Sequence, residues 1–170
     1  MSEVRTERLV LRPARMDDLD AFHAILSDPR ATAYWSTPPH RDRTQSRDWL
    51  RSMVDIPAGE GEDFVIEHDG RVIGKAGFFR FPEIGFILHP DAWRRGFAFE
   101  ALQAVLARSF AVNGLAHVEA DVDPRNEASL GLLKRLGFEE TGRKSRTWEI
   151  GEEWTDSVYL RLDPPHTAGS

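Results

Sequence analysis

Apolar and polar positions alternate along Leu9–Arg12, the period of a strand with one buried face. From Asp17 to about Leu26 the period lengthens, with Leu19, Phe22 and Leu26 at helical spacing and Pro29 beyond. Tyr34 to Arg43 reads as a loop. Gln45 to Val54 reads as a second helix, with Trp49, Leu50 and Met53 on one side, and Pro57, Gly59 and Gly61 then break the chain. Phe64–Glu67 and Val72–Phe79 are predicted strands, joined by Asp69-Gly70, a strong hairpin signal. Ile84–Leu88 is the next strand. Leu102, Val105, Leu106 and Phe110 mark an amphipathic helix that stops near Asn113-Gly114. Val118, Ala120 and Val122 alternate as a strand, Asn126 opens a helix that Gly137 closes, and strands are expected at Thr147–Ile150 and Val158–Leu162. The order is strand, two helices, three strands, helix, strand, helix, two strands. It predicts an α+β fold around a mixed, mostly antiparallel central sheet flanked by helices. No repeat or linker interrupts it. Residues 6–163 read as a single domain and 164–170 as a loose C-terminal tail.

Composition narrows the class. A chain of 170 residues can bury a core of its own. With 41% hydrophobic and 29% charged residues and no apolar run of membrane-spanning length, it reads as soluble. The N-terminus lacks a basic-plus-apolar signal pattern, so a cytoplasmic location is expected. The absence of cysteine excludes disulfides, thiolate metal sites and a cysteine nucleophile, and no metal site is expected. A net charge of −6 argues against a nucleic-acid partner. It suits a cationic acceptor through steering, although solubility alone also accounts for it.

The most informative segment is Trp93-Arg94-Arg95-Gly96-Phe97-Ala98-Phe99-Glu100, set between a predicted strand and a predicted helix. A strand that turns through glycine into a helix N-terminus gathers free N–H groups at the positive end of the helix dipole, an arrangement that binds phosphate oxygens. Arg94 and Arg95 add charge and forked donors. The bland alternative is a turn glycine. The segment is not a G-x-x-x-x-G-K-[ST] loop, and no G-x-G-x-x-G follows a strand, so neither a nucleoside-triphosphate loop nor a dinucleotide fold is supported.

The segment resembles the phosphate loop of the GNAT superfamily of N-acetyltransferases, whose pattern Q/R-x-x-G-x-G/A is met by Gly96 and Ala98, with Trp93 in the leading place. That departure is usual in the Rim-type branch, which acetylates protein N-termini. Asn126 and Ser129, followed by Leu132, Leu133, Leu136, Gly137 and Phe138, resemble that branch's N-x-x-S-x-x-L-L-x-x-L-G-F helix. Thr6–Pro13 and Trp154–Tyr159 resemble its two ends, so the likeness runs from about Thr6 to Leu162.

The resemblance implies the GNAT fold, acetyl-CoA as cosubstrate, a primary amine as acceptor and often a homodimer. It places the pyrophosphate on the N–H groups of Arg94, Arg95, Gly96, Phe97 and Ala98. It places the thioester oxygen on the N–H of Ile87 or Leu88, where developing negative charge needs a donor. Asn126 would contact the cofactor, although its position also suits an N-cap. Many enzymes of this fold carry a tyrosine acid where Leu133 stands here. In the Rim-type branch the serine does this work, which makes Ser129 the catalytic candidate. Ser129, Leu132, Leu133 and Leu136 share one helix face. A helical serine also bonds the carbonyl one turn back, the competing fate for Ser129. For deprotonating the amine, Glu83 comes first, then Glu119 and His89. The family builds part of its acceptor pocket from the region of Tyr34, Trp35, Pro38 and His40. Glu149, Glu152 and Glu153 are available to attract a cation. A protein N-terminal α-amine is the first expectation for the acceptor. A small amine (polyamine, amino acid or antibiotic) is the second, and a non-catalytic acetyl-CoA-binding module the third.

Overall fold

The computed structural model describes residues 2–166, so residues 167–170 of the expected tail lie outside the described residues. In chain order the elements are β1 Val4–Arg5, β2 Leu9–Arg12, α1 Leu19–Leu26, α2 Arg43–Val54, β3 Glu62–His68, β4 Arg71–Arg80, β5 Glu83–Leu88, α3 Phe97–Ala111, β6 Val118–Val122, α4 Glu127–Arg135, β7 Glu139–Ile150 and β8 Glu153–Leu162. The strands form one sheet in the order β1-β2-β3-β4-β5-β6-β8-β7. All neighbours pair antiparallel except β5 and β6, which run parallel. Among the described residues no helix is long and apolar enough to cross a membrane.

Each expected element is present, and the turn chemistry explains several ends. Asp69 and Gly70 take φ of 50° and 77°, the two left-handed residues that a tight hairpin between β3 and β4 requires. Asp42 caps α2 by accepting from the Gln45 N–H, which starts that helix two residues ahead of the expected Gln45. The largest difference is β7, which begins at Glu139 rather than Thr147. It is an edge strand exposed along most of its length, so it shows no apolar alternation. Its ladder to β8 is made by backbone groups that any side chain permits.

Both faces of the sheet are covered. On one, Phe64, Ile66, Phe78 and Leu88 pack with Phe97, Leu102 and Val105 of the α3 side. On the other, Val65 and Ile87 pack with Phe22, Leu26, Leu50 and Met53 of α1 and α2. The continuous apolar run Phe64–Ile66 follows from this double burial. Pairing of β5 with β6 is confined to Glu83 opposite Glu119. Beyond that pair the two strands part, and the sheet opens into a fork towards Leu88.

One expectation for the acceptor loop is corrected here. His40 is buried, 5% exposed, and its Nδ1 lies 2.8 Å from Ser46 Oγ. His23 Nδ1 lies 2.8 Å from the same oxygen. A hydroxyl has one proton, so Ser46 donates to one ring and accepts from the other, which ties the loop to α1 and α2. Burial, then the nearby His23, pushes the His40 pKa below its ordinary 6.5, against an opposing pull from Asp42. The imidazole is therefore neutral in the fold, while the unfolded chain takes up a proton as pH falls below 6.5. His40 contributes stability that is complete above about pH 6.5 and is lost as pH falls through its lower folded value. Thermal melts from pH 7.5 to 5 are expected to show a falling Tm, and His40→Gln a shallower fall. Equal slopes would remove His40 from the account.

Candidate active site

The loop after β5 is shaped by its backbone. Trp93 Nε1 donates to the Leu88 carbonyl at 3.1 Å and anchors the start of the turn. Arg94 has φ of 61° and Gly96 φ of 78°, so two of three successive residues lie in the left-handed region. Gly96 is the N-cap of α3 and offers no side-chain cap. The Glu100 N–H reaches back to the Gly96 carbonyl at 3.1 Å. The N–H groups of Phe97, Ala98 and Phe99 come before that bond and have no partner within the helix. Arg94, Gly96, Phe97 and Ala98 line a cleft of about 1190 Å³, whereas Arg95 does not; its guanidinium lies 4.6 Å from the Phe97 ring centroid. The Phe97 side chain is buried, so its backbone is what it offers a ligand.

The loop is strapped from outside by Arg8. Its Nη1 donates to the Arg95 carbonyl at 2.8 Å and its Nε to Glu100 Oε1 at 2.7 Å, while the Arg8 backbone N–H donates to Glu100 Oε2 at 2.9 Å. Arg8 lies 87 residues before Arg95, and sequence reasoning missed it because nothing local marks the pair.

The fork between β5 and β6 forms the middle of the cleft. The His89 N–H donates to the Ile73 carbonyl at 2.7 Å, in register with Gly74 opposite Leu88 and Lys75 opposite Ile87. Hydrogen-bonded and open pairs alternate along an antiparallel ladder. The Ile87 N–H therefore faces β4, and the N–H groups of Leu88 and Phe86 face the open fork. The structure thus separates the two candidate positions: Leu88, with Phe86 beside it, turns its N–H to the open fork, and Ile87 does not.

The start of α4 lines the same cleft. Asn126 accepts from the Ser129 N–H at 3.2 Å and is the cap of that helix. Ser129 is half-buried and lines the cleft, and among the described residues its hydroxyl makes no hydrogen bond. The competing fate, a bond to the carbonyl one turn back, is not taken. Leu133 is fully buried in the core.

Of the three base candidates, Glu83 alone lines the cleft. Burial, then the charges of Asp121 and Glu119, raises its pKa above the usual carboxylate value. Solvent reaches the carboxylate through the mouth, while adjoining protein removes part of its hydration. Glu119 is engaged by His117 Nε2 at 2.9 Å, and His89 Nδ1 accepts the Asp91 N–H at 3.1 Å. Sequence reasoning missed Asp121, which lines the cleft and accepts from Trp148 Nε1 at 3.0 Å. Tyr34 and Trp35 also line it; Pro38 and His40 do not. Glu149, Glu152 and Glu153 lie outside it, and Glu153 pairs with Arg125 at 3.0 Å.

The family model of the acetyltransferase (GNAT) domain matches residues 8–139. The chain belongs to the GNAT acetyltransferase family. It is 34% identical over 169 residues to an uncharacterized N-acetyltransferase p20 of Bacillus licheniformis, covering 94% of each chain. It is 30% identical to an L-methionine sulfoximine/L-methionine sulfone acetyltransferase of Pseudomonas aeruginosa, covering 93% of this chain and 97% of that one. Among solved structures, an acetyltransferase from Salmonella typhimurium, described as modifying the N-terminal serine of ribosomal protein L7/L12, superposes with a TM-score of 0.85 at 16% identity, over 96% of this chain and 100% of that one. That likeness is one of fold. The protein is accordingly a GNAT N-acetyltransferase, and this family uses acetyl-CoA. The residues present fit that cosubstrate: the uncapped N-terminus of α3 suits a pyrophosphate, and the open N–H groups of β5 suit an extended amide-bearing arm.

Proposed function

We propose that the protein moves an acetyl group from acetyl-CoA to the primary amine of a small acceptor that is cationic in solution, by direct attack of the amine on the thioester. The observation that carries this reading is convergence on one cleft. The first-turn N–H groups of α3, the open edge of β5, the Ser129 hydroxyl and the Glu83 carboxylate all line it. Acetyl-CoA supplies the activated acetyl group. The chain's residues supply the rest. The N–H groups around Gly96 to Ala98 hold the pyrophosphate, and Asn126 lies within reach of the same cosubstrate. The Leu88 N–H meets the oxygen on which negative charge grows. Glu83 attracts the ammonium form of the acceptor and accepts its proton, directly or through water. Ser129 donates a hydrogen bond to the departing sulfur. Residues 6–163 act as one catalytic unit.

A small acceptor is preferred to a protein N-terminus because the relative at 30% identity is named for an amino-acid derivative, and because Trp35, Trp49 and Met53 wall the acceptor end. The second reading, a peptide α-amine, draws on the exposed Tyr34 and Trp148 at the mouth, which offer a peptide somewhere to pack. Release of CoA from acetyl-CoA, measured with a panel of small amines and of peptides beginning in Ala, Ser or Met, and followed by mass spectrometry, separates the two. Transfer to peptides alone would overturn the preferred reading. Ser129→Ala is expected to lower kcat about 100-fold, the lower end of general-acid effects, with the Kd for acetyl-CoA unchanged. Full turnover under saturating substrates would remove Ser129 from the chemistry.

A further inference from the structure

Asp63 on β3 and Lys75 on β4 form an ion pair whose side chains are 2% and 5% exposed. Lys75 Nζ lies 2.9 Å from Asp63 Oδ2 and 3.2 Å from Oδ1. Both contacts go to one carboxylate, so one of the three ammonium N–H groups has no partner among the described residues. Taking two charges out of water is often no more stabilising than placing an apolar pair of the same size there. Stability is therefore a weak reason for this pair. Its position supplies a better one, because both residues line the acceptor end of the cleft.

The sheet leaves a recess in front of the ammonium. Lys75 faces Ile87, and Gly77 faces Gly85, across β4 and β5. Two glycines opposite one another leave that stretch of the sheet bare. A Cβ added at Gly85 would stand 3.5 Å from Lys75 Nζ, so the missing side chain is what keeps the ammonium open to the cleft. Trp35 stands over the same spot, its ring centroid 5.8 Å from Nζ. Its Nε1 is buried with no hydrogen-bond partner, and a buried unpaired donor is a cost that a ligand can remove. Glu83 precedes Gly85 by two positions on β5 and so shares its face, with Asp121 beside it. The recess thus presents unpaired donors at one end and carboxylates at the other.

We propose that this recess selects acceptors that carry a carboxylate close to the amine, the amino-acid class, with Lys75 and Trp35 binding the carboxylate while Glu83 and Asp121 receive the amine. Lys75 and Trp35 are then specificity-determining residues. Asp63 is a positioning residue that holds the ammonium by two of its protons and aims the third. The inference rests on the small-amine reading above and names the substrate class for it.

The test compares initial rates with L-leucine, L-methionine and L-phenylalanine against their carboxamides, which keep shape and amine but lose the negative charge. The acids are expected to exceed the amides in kcat/KM by about tenfold, mainly through KM, as befits a charge-assisted contact. Trp35→Phe, which keeps the ring and removes the N–H, is expected to lower that acid-to-amide ratio. The double variant Lys75→Met with Asp63→Leu, which leaves no unpaired buried charge, is expected to bring it close to one. Equal rates for acids and amides in the parent, or a ratio unmoved by both variants, would overturn the inference while leaving small-amine acetylation intact. Transfer to no small amine, with acetyl-CoA still bound, would instead overturn the reading on which it rests.

Discussion

Replacing Gly96 by valine is expected to weaken acetyl-CoA binding about 5- to 30-fold. Gly96 has φ of 78°, a conformation that costs a side-chain-bearing residue about 1–2 kcal/mol and suits a β-branched residue least. Its added Cβ would also stand 3.3 Å from Arg8 Nη2, tighter than ordinary contact, although that guanidinium has room to shift. The loop relieves the strain by rotating φ, and that rotation turns the first-turn N–H groups of α3 away from the cleft. At about 1.4 kcal/mol per factor of ten, the strain converts to the stated range. Titration calorimetry with acetyl-CoA measures it. Gly70→Val is the control, because Gly70 has a similar φ of 77° at the hairpin tip with nothing within 4 Å of an added Cβ. Gly70→Val should lower stability without changing the Kd. Unchanged affinity in Gly96→Val would show that this turn does not hold the pyrophosphate.

Asp18→Ala is expected to cost about 3–5 kcal/mol of stability, the usual result of leaving one member of a buried ion pair alone. Arg12 and Asp18 are 7% and 4% exposed. Arg12 Nη2 and Nη1 reach the two Asp18 oxygens at 2.7 and 3.0 Å, its Nε reaches Glu67 at 2.7 Å, and Asp18 also accepts the Arg15 N–H at 2.8 Å. The bonds that Arg12 donates to Asp18 and Glu67 outweigh its desolvation and raise its already high pKa. This network holds the turn Met16–Asp18 that launches α1, and α1 with α2 covers the face of the sheet that carries Val65 and Ile87. For a domain of this size the loss corresponds to a Tm lower by roughly 6–20 °C. Arg12→Met with Asp18→Leu should recover part of it, since no bare charge then remains in the turn. An unchanged melting temperature for Asp18→Ala would mean that water already reaches the pair.

These two sites differ in how far local sequence exposes them. Gly96 is visible because a glycine between an apolar strand pattern and an amphipathic helix pattern is a signal spanning about ten residues. Asn126 as a cap and Asp69-Gly70 as a hairpin are visible for the same reason. Their chemistry acts on backbone groups two or three positions away. The Arg12 network joins β2, the turn before α1 and a residue of β3 that lies 55 positions along the chain. No short-range pattern distinguishes that arginine from an exposed one.

The same division runs through the candidate site. The order of elements, the α+β class, the Gly96 turn and Ser129 on an inward helix face all follow from periods of 2 and 3.6 and from turn residues, because each is set within a few residues of chain. Strand neighbours lie outside that range. The phase of the β4–β5 ladder decides that Leu88 rather than Ile87 turns its N–H to the fork. The folded sheet brings Asp121 to Glu83, Arg8 to Glu100, and Lys75 to Asp63 beside Trp35. Edge strand β7 extended well beyond its expected start because backbone pairing needs no apolar alternation. Local periodicity and turn chemistry specified which elements form and where the glycine turn before α3 lies. Long-range strand pairing and burial placed the donors and charges around the cleft, because those neighbours are distant in sequence and meet only when the sheet assembles.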